Sequence, residues 1–430
     1  MNGDAFDRSL VPGQLLAADL EALAQQFGTP LFVYDEDELR RRCREYVHHF
    51  GAGNVAYAGK AFLCTAIAHL VAEEGLGLDV ATGGELHVAV HAGFPASRVV
   101  FHGNNKSDDE LAAGLDAGVG RIVVDSFDEL DRLERIARGR MEPDRRPAVL
   151  VRVTPGIEAH THEFIETGTE DSKFGFTLTG DIARAAAVRV ARSSTLEFVG
   201  LHCHIGSQIE WLDPYIRAIA KLVALAAELH HDGVEVPELS IGGGLCARYL
   251  GSDPVVDVAD YAHAVRTGLT DACAVAGLAS TPRITVEPGR SIAGPAALTL
   301  YRVGTVKQIP EVGTYVAVDG GMSDNPRPVL YGAGYEAFLP SRIDAPRSLR
   351  CRVVGKHCEQ GDVLVAEARL PADVRVGDLL ATPCTGAYGY AMASNYNRLP
   401  RPAVVFVRAG VPRVVVRRET FADLVRLDGV

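Results

Sequence analysis

Between residues 55 and 290 the chain repeats one pattern: a short apolar run rich in β-formers, a polar or glycine-containing stop, then a longer segment dominated by Ala, Leu, Arg and Glu. Apolar runs bounded by such stops predict strands, and the longer segments have helical character. The runs are Val55 to Ala58, Leu78 to Ala81, Val99 to His102, Ile122 to Asp125, Val149 to Val153, Phe198 to His202, Leu239 to Ile241 and Ile284 to Glu287. Eight strand-like runs alternating with helix-like segments over roughly 250 residues is what a closed parallel barrel with outer helices requires. An open doubly wound sheet is the competing arrangement.

The choice turns on the polar residues. Nearly every run ends in a side chain capable of chemistry: Lys60, Asp79, His102, Asp125, Arg152, His204, Gly242 to Gly244 and Glu287. A barrel brings such ends to one mouth, whereas an open sheet spreads them along a line and lets only those at its switch point meet. The pattern therefore predicts an α/β protein built on a (β/α)8 TIM barrel.

Beyond about Gly294 the character changes to β-rich stretches punctuated by Gly and Pro: LTLYRVGTV, TYVAVDGG, LRCRVVGK, DLLATP, AVVFVRAG and VPRVVVRR. These predict a C-terminal all-β domain, a sandwich or small barrel. Ahead of the repeats lie one amphipathic helix, about Ala17 to Phe27, ended by Gly28, and a strand, Leu31 to Tyr34. The expected division is a barrel over residues 36–293 and a β domain made of 1–35 with 294–430.

Composition narrows the function classes. The 430 residues exceed the roughly 150 expected per domain, and 47% hydrophobic with 23% charged residues is ordinary for a folded protein. With 43 basic against 55 acidic residues, a net charge of -12 and no basic block, nucleic acid is not expected as a partner. No run of about 18 apolar residues suggests a membrane span, and MNGDAFDRSLVPGQ lacks the features of a secretory signal, so a cytoplasmic protein is expected. Eight cysteines are scattered without a CxxC pair and are expected to be reduced. Cys358 differs in having polar neighbours, Lys356, His357, Glu359 and Gln360.

Several positions carry candidate chemistry. Lys60 in VAYAGKAF follows a strand into the mouth, where partial desolvation makes a lysine a Schiff-base nucleophile; taken alone, the motif fits an ordinary surface lysine in a loop better. The three glycines of IGGGL leave backbone N–H groups free to approach an anion, but no GK[ST] or GxGxxG signature accompanies them, and GGG alone is often only a turn. TVEPGRS sets Glu287 and Arg290 three residues apart with Pro288 and Gly289 between them. A carboxylate there can keep a heteroaromatic nitrogen protonated and a guanidinium can clamp an anion, unless the two simply pair with each other. Two histidine clusters, HTH at 160 to 162 and HCHIGSQ at 202 to 208, invite a metal reading. Ring stacking by His204 with phosphate binding by Ser207 explains the second equally well, and no metal is expected. SDNPRPVLY and GKHCEQGD place Arg327, Tyr331, Cys358 and Glu359 on loops of the β domain, where a thiol among cations can donate a proton.

Read in order, YAGKAF, LDVATGGEL, FHGNNK, HTHEFIETGTEDSKFGF, GLHCHIGSQ, EPGRS, VDGGMSDNPRPVLY, GKHCEQGD and TGAYGYAMASNYN closely resemble the diaminopimelate decarboxylases, through nearly the whole chain. Ornithine and arginine decarboxylases and alanine racemases share only parts of these motifs. The resemblance implies pyridoxal 5'-phosphate as cofactor, an alanine-racemase-like barrel with a β domain, and a homodimer whose active sites are completed by the partner chain. It implies Lys60 as the Schiff-base lysine, Glu287 as partner of the pyridine nitrogen and His204 stacked on the ring. Asp79, Ser207, the Gly242, Gly243 and Gly244 turn, Pro288, Gly289, Arg290 and Tyr388 would be the remaining cofactor contacts. Arg290, Arg327, Tyr331, Glu359 and Tyr388 resemble the set binding an amino-acid substrate, and Cys358 resembles the proton donor supplied across the dimer.

Two departures are visible: Gly59 and Phe62 stand where many members have a YAVKAN-like motif, and Leu245 and Cys246 follow the glycine turn. The implied reaction converts meso-2,6-diaminopimelate to L-lysine and CO2 through a Schiff base and a quinonoid form. Decarboxylation of another D-configured or carrier-bound amino acid, a non-catalytic regulatory homologue, and a barrel metallohydrolase built on the histidines are the alternatives.

Overall fold

The structure, a computed structural model, describes residues 5–140, 145–157 and 172–429. It divides into two compact units, one comprising residues 42–246 and 255–289, the other the N-terminal 41 residues, 247–254 and 290–430.

The chain first lays down strand β1 (Leu31–Asp35), which belongs to the second unit. The first unit then follows with β2 (Ala56–Ala58), β3 (Gly77–Val80), β4 (Val99–Phe101), β5 (Arg121–Val124), β6 (Ala148–Thr154), β7 (Phe176–Thr177), β8 (Glu197–His202), β9 (Glu238–Ser240) and β10 (Arg283–Thr285). Eight of these form one parallel sheet in the order β10-β9-β8-β6-β5-β4-β3-β2, with the two-residue β7 alongside β6. The ends meet: Val55 bridges Val286, Ala56 N–H donates to the Val286 carbonyl over 3.0 Å and Val286 N–H to that of Asn54 over 2.9 Å. The sheet is thus closed into the expected barrel rather than left open.

The closure explains the composition of the runs. Parallel strands covered on both faces have no solvated side, so Leu78, Val80, Phe101, Ile122, Val124, Leu150 and Val151 are all buried. The intervening helices start and stop where local chemistry dictates. Ser107 and Glu110 form a reciprocal capping box at the head of helix Asp108–Ala117, and Gly118 ends it in the left-handed region at φ 72°. Asp257 caps Val258–Ala276 by accepting from Ala259 N–H, and Gly277 ends it in the left-handed region.

The second unit continues with β11 (Ala297–Ile309), β12 (Gly313–Val318), β13 (Leu349–Val354), β14 (Val363–Leu370), β15 (Leu379–Pro383), β16 (Ala403–Arg408) and β17 (Val411–Val416). They form one all-β sheet in the order β14-β13-β12-β11-β1-β16-β17, with β15 also on β11. The long β11 serves two halves: Leu298 to Arg302 pair with β15 and, on the other side, Ala297 to Leu300 with β1, while Thr305 to Ile309 pair with β12. Each half has its own core, one around Val303, Val316 and Val353, the other around Leu31, Val33, Leu298 and Val405. β1 is wedged antiparallel to β11 and parallel to β16.

One expected element is corrected. The helix expected at about Ala17 to Phe27 begins at Leu20, because Asp19 takes the cap position and accepts a hydrogen bond from Ala22 N–H, and a separate short helix, Gly13–Ala17, precedes it. No helix among the described residues is long and apolar enough to cross a membrane.

Candidate active site

Glu287 follows β10 and is 7% exposed. Its Oε2 accepts a hydrogen bond from His202 Nε2, the last residue of β8, over 3.0 Å. Its Oε1 accepts one from Ser240 Oγ of β9 over 3.1 Å and lies 3.2 Å from His102 Nε2, just past β4, at ion-pair distance without the alignment of a hydrogen bond. His102 in turn approaches Asp79 of β3 at 3.7 Å. Strands β4, β8 and β10 are not neighbours in the sheet, so these contacts run across the barrel interior. The strand ends converge as a closed barrel requires.

The charges follow from burial and neighbours. Burial alone would raise the carboxyl of Glu287, yet the facing imidazoles of His102 and His202 hold it well below the usual carboxylate range. Asp79 is pushed up to about 6, chiefly by burial, with His102 opposing the rise and Glu287 adding to it. Lys60 sits in the turn Gly59–Ala61 directly after β2 with its side chain exposed, and its charge acts on Asp79, Glu85 and His204. The amine therefore stands over the same strand ends. His204 is half-buried; burial first, then Lys60 and Arg152, lower its pKa well below the ordinary imidazole value and leave a neutral ring.

The glycine turn is less open than expected. A Cβ on Gly243 would come within 2.2 Å of the Glu287 carbonyl oxygen, and one on Gly242 within 2.6 Å of that of Cys203. The turn must be glycine because it lies against neighbouring strand ends. Gly243 N–H donates to His204 Nδ1 over 3.2 Å and Gly242 N–H to Ser240 Oγ over 3.4 Å, so two of the three N–H groups are already engaged. The loop carrying Ser207 is tied to this turn, Ile209 N–H donating to the Gly244 carbonyl over 2.9 Å. Gly289 is similarly confined, 2.9 Å separating a Cβ there from that of Ala58, whose N–H bonds the Pro288 carbonyl.

The histidine clusters resolve differently. Residues 160 to 162 lie outside the described residues. In HCHIGSQ the alternate histidines part company, His202 turning to Glu287 and His204 to Gly243. His102, His202 and Glu287 do present donor atoms within 4.8 Å of one another, a set able to hold a metal ion.

In the second unit a separate group of candidates collects around Tyr249. Arg290 is buried; its Nη1 donates to Tyr249 Oη over 2.7 Å and its guanidinium lies 4.7 Å from the centre of the Tyr388 ring. Arg327, 4% exposed, donates to Tyr335 Oη over 2.5 Å and lies 4.3 Å over the Tyr249 ring. It pairs with no carboxylate among the described residues, and its Nε has no hydrogen-bond partner there. Asn325, 1% exposed, has no hydrogen-bond partner for either amide atom among the described residues. Among the described residues, a buried guanidinium without a counter-ion has the capacity to accept a carboxylate. Tyr388 holds φ 59°, a left-handed conformation that costs a bulky residue on the order of 1 kcal/mol.

Arg327 and Tyr331, expected on a loop, instead bound the short helix Arg327–Tyr331, with Pro326 at its head and Gly332 at φ 59° past its end. Cys358 and Glu359 are exposed on the turn between β13 and β14. Asp362 fixes that turn by accepting from His357 N–H over 2.9 Å, His357 Nδ1 over 2.8 Å and Met322 N–H over 2.6 Å, and Cys358 N–H donates to Asn397 Oδ1 over 2.9 Å. No hydrogen bond or ion pair among the described residues joins Cys358 or Glu359 to Arg290 or Arg327.

Sequence reasoning gave His102 and His202 no partner and passed over Ser240, Tyr249, Asn325 and Tyr335. Their strand-end positions signalled the two histidines; nothing in ARYLGSD or GAGYE signals the tyrosines.

The sequence pattern described as "Pyridoxal-dependent decarboxylase, pyridoxal binding domain" matches residues 36–294. A diaminopimelate decarboxylase of Mycobacterium tuberculosis is 50% identical over 419 residues, covering 95% of this chain and 93% of that protein. One of Bacillus subtilis is 47% identical over 411 residues, covering 94% and 92%. The crystal structure of diaminopimelate decarboxylase from M. jannaschii in complex with L-lysine superposes with a TM-score of 0.88 at 33% identity, covering 96% of this chain and 94% of that one.

Proposed function

We infer how the protein works from one premise: the chain belongs to the diaminopimelate decarboxylases, a pyridoxal-phosphate-dependent family. Its reaction removes CO2 from meso-2,6-diaminopimelate and leaves L-lysine. The observation that carries the reading is Glu287, held ionised across the barrel interior by His102 and His202, under a mouth where Lys60 is exposed.

These residues suit the cofactor. Lys60 is the amine to hold its aldehyde carbon, Glu287 the anion to keep its ring nitrogen protonated, and His204 a neutral flat ring to lie against it. Asp79, Ser207, Gly242 to Gly244 and the Pro288, Gly289, Arg290 turn are assigned to its remaining contacts, with Tyr388. Bound pyridoxal phosphate supplies an electron sink for the pair left behind when CO2 departs.

The substrate roles fall to the second unit. Arg327, with Tyr331, is assigned to the carboxylate of the centre that is retained, because its guanidinium has no counter-ion among the described residues. Arg290 and Tyr388 help to orient the substrate, and Glu359 accepts from its far ammonium. Cys358, exposed, gives its proton to the carbon that lost CO2. A homodimer accompanies this assignment, with Cys358 and Glu359 serving the active site of a second copy of the chain. A cytoplasmic location suits eight thiols of which none is paired with another.

The test is turnover of meso-2,6-diaminopimelate by cofactor-loaded protein in deuterated water, read by mass analysis of the product. One solvent deuteron on the ε-carbon of L-lysine, with the α-centre unlabelled, is the expected result. Absence of lysine from protein that carries the cofactor overturns the reading.

A further inference from the structure

The surroundings of Glu287 support an inference that rests on the reading above and deepens it. We propose that His102 and His202 are positioning residues for the decarboxylation, which act through Glu287 by holding its carboxylate in one orientation.

Both oxygens of Glu287 are occupied from fixed points. His202 Nε2 holds Oε2 at 3.0 Å, while Ser240 Oγ and His102 Nε2 meet Oε1 at 3.1 and 3.2 Å. The three anchors come from the ends of β8, β9 and just past β4, so a side chain with three rotatable bonds is braced from several directions by the barrel wall. A braced carboxylate presents its remaining lone pairs to the cavity in a set direction, which a hydrogen-bonded ring nitrogen requires.

The same barrel floor contains a natural comparison. Asp79 is as deeply buried as Glu287 but faces one imidazole, at 3.7 Å, and burial pushes it up to about 6. Glu287 faces two, both nearer, and stays well below the usual range. Without the bracket, Glu287 is a buried carboxyl that gains a proton and loses its use as an anion.

The form of His202 follows from its other nitrogen. Nδ1 is buried with no hydrogen-bond partner among the described residues. His202 therefore meets the carboxylate through Nε2 alone. A side chain that donates from the same place should replace it.

The experiment is a double-mutant cycle on the holoenzyme with H202L, H202Q, E287Q and H202L/E287Q, repeated with H102L and H102Q. H202L should lower kcat on the order of 10- to 100-fold, the loss expected when the partner orienting a functional group is removed, with KM within about threefold. It should also shift the visible band of the bound cofactor in the same direction as E287Q, and H202Q should restore most of both. In the E287Q background H202L should change kcat by less than about threefold, since the group it acts through is gone. Equal losses in both backgrounds, or an H202L kcat within twofold of wild type, overturn the inference alone. An E287Q enzyme with wild-type kcat and band overturns the assignment of Glu287 and the inference with it. Should H202L fail to bind cofactor, the His102 cycle decides by the same criteria.

Discussion

Replacing Arg327 with methionine removes a guanidinium that is almost wholly buried and faces no carboxylate among the described residues. In the free protein that charge is a cost, since a buried cation without a counter-ion forfeits several kcal/mol of hydration. Contacts with the Tyr249 ring and Tyr335 hydroxyl return about 1–2 and about 1 kcal/mol. R327M loses the cost and the contacts together, and the unbranched thioether fills much of the space, so stability should stay within about 2 kcal/mol of wild type, a few °C in Tm. Substrate binding has no such offset. A charge-assisted contact between the guanidinium and the substrate's retained carboxylate is worth about 3 kcal/mol, so KM should rise on the order of 100-fold. Because that carboxylate does not react, the contact is the same before and during CO2 loss and kcat should change little. Steady-state kinetics with meso-2,6-diaminopimelate, and thermal denaturation with and without L-lysine, measure both sides. Lysine should raise Tm for wild type and not for R327M at the same concentration. An unchanged KM, or a Tm more than 10 °C lower (roughly 3 kcal/mol or more), would refute the reasoning.

Tyr249→Phe removes the hydroxyl that Arg290 donates to while keeping the ring beneath Arg327, and should cost about 1 kcal/mol, read as a five- to tenfold loss in kcat/KM; Y249L, which removes the ring too, should cost more. Asp324 is buried and pushed up to about 7, so its folded pKa lies above its unfolded one, and its contribution to stability, full below about pH 4, is lost as pH rises through 7. The stability of D324N relative to wild type, by urea unfolding, should therefore improve by about 2–3 kcal/mol between pH 5 and 8, and a flat difference refutes the burial argument. Cys358→Ala should lower kcat about 100-fold with KM little changed, because a proton donor acts in the transition state; steady-state rates decide. Lys60→Ala should abolish the borohydride-sensitive visible band of the purified protein.

The barrel was legible because each βα repeat is local in sequence. An apolar run and its polar stop mark a strand and its end within one turn of chain, and strand ends are where a barrel gathers chemistry. What periodicity cannot show is the partner. His202 and His204 differ by one pleat and go to Glu287 and Gly243, a choice made by strands far away in sequence. Tyr249, central to both arginines, lies in 247–254, between two barrel strands in sequence yet packed with the β unit. The glycine turn reads as an anion cradle from composition, whereas the directions of its N–H groups depend on Ser240 and His204. Apolar residues continue ahead of Asp19 and place the start of the helix ending at Phe27 near Ala17, whereas the capping bond from Ala22 N–H to Asp19 sets that start at Leu20.

The wedge position of β1 sets an order of events on the ribosome. Barrel strands β2 to β9 each meet a neighbour soon after emerging, and only the seam at Val55 and Val286 waits for β10. Leu31 to Tyr34, made first, has no sheet partner until Ala297 to Leu300 is translated, and its other flank stays open until Ala403 to Phe406 follows. For nearly the whole of synthesis a fully apolar LFVY strand is an unpaired edge, the kind of segment that seeds misassociation. Nascent chains halted before about residue 400 should therefore depend on chaperones more heavily than the finished protein does.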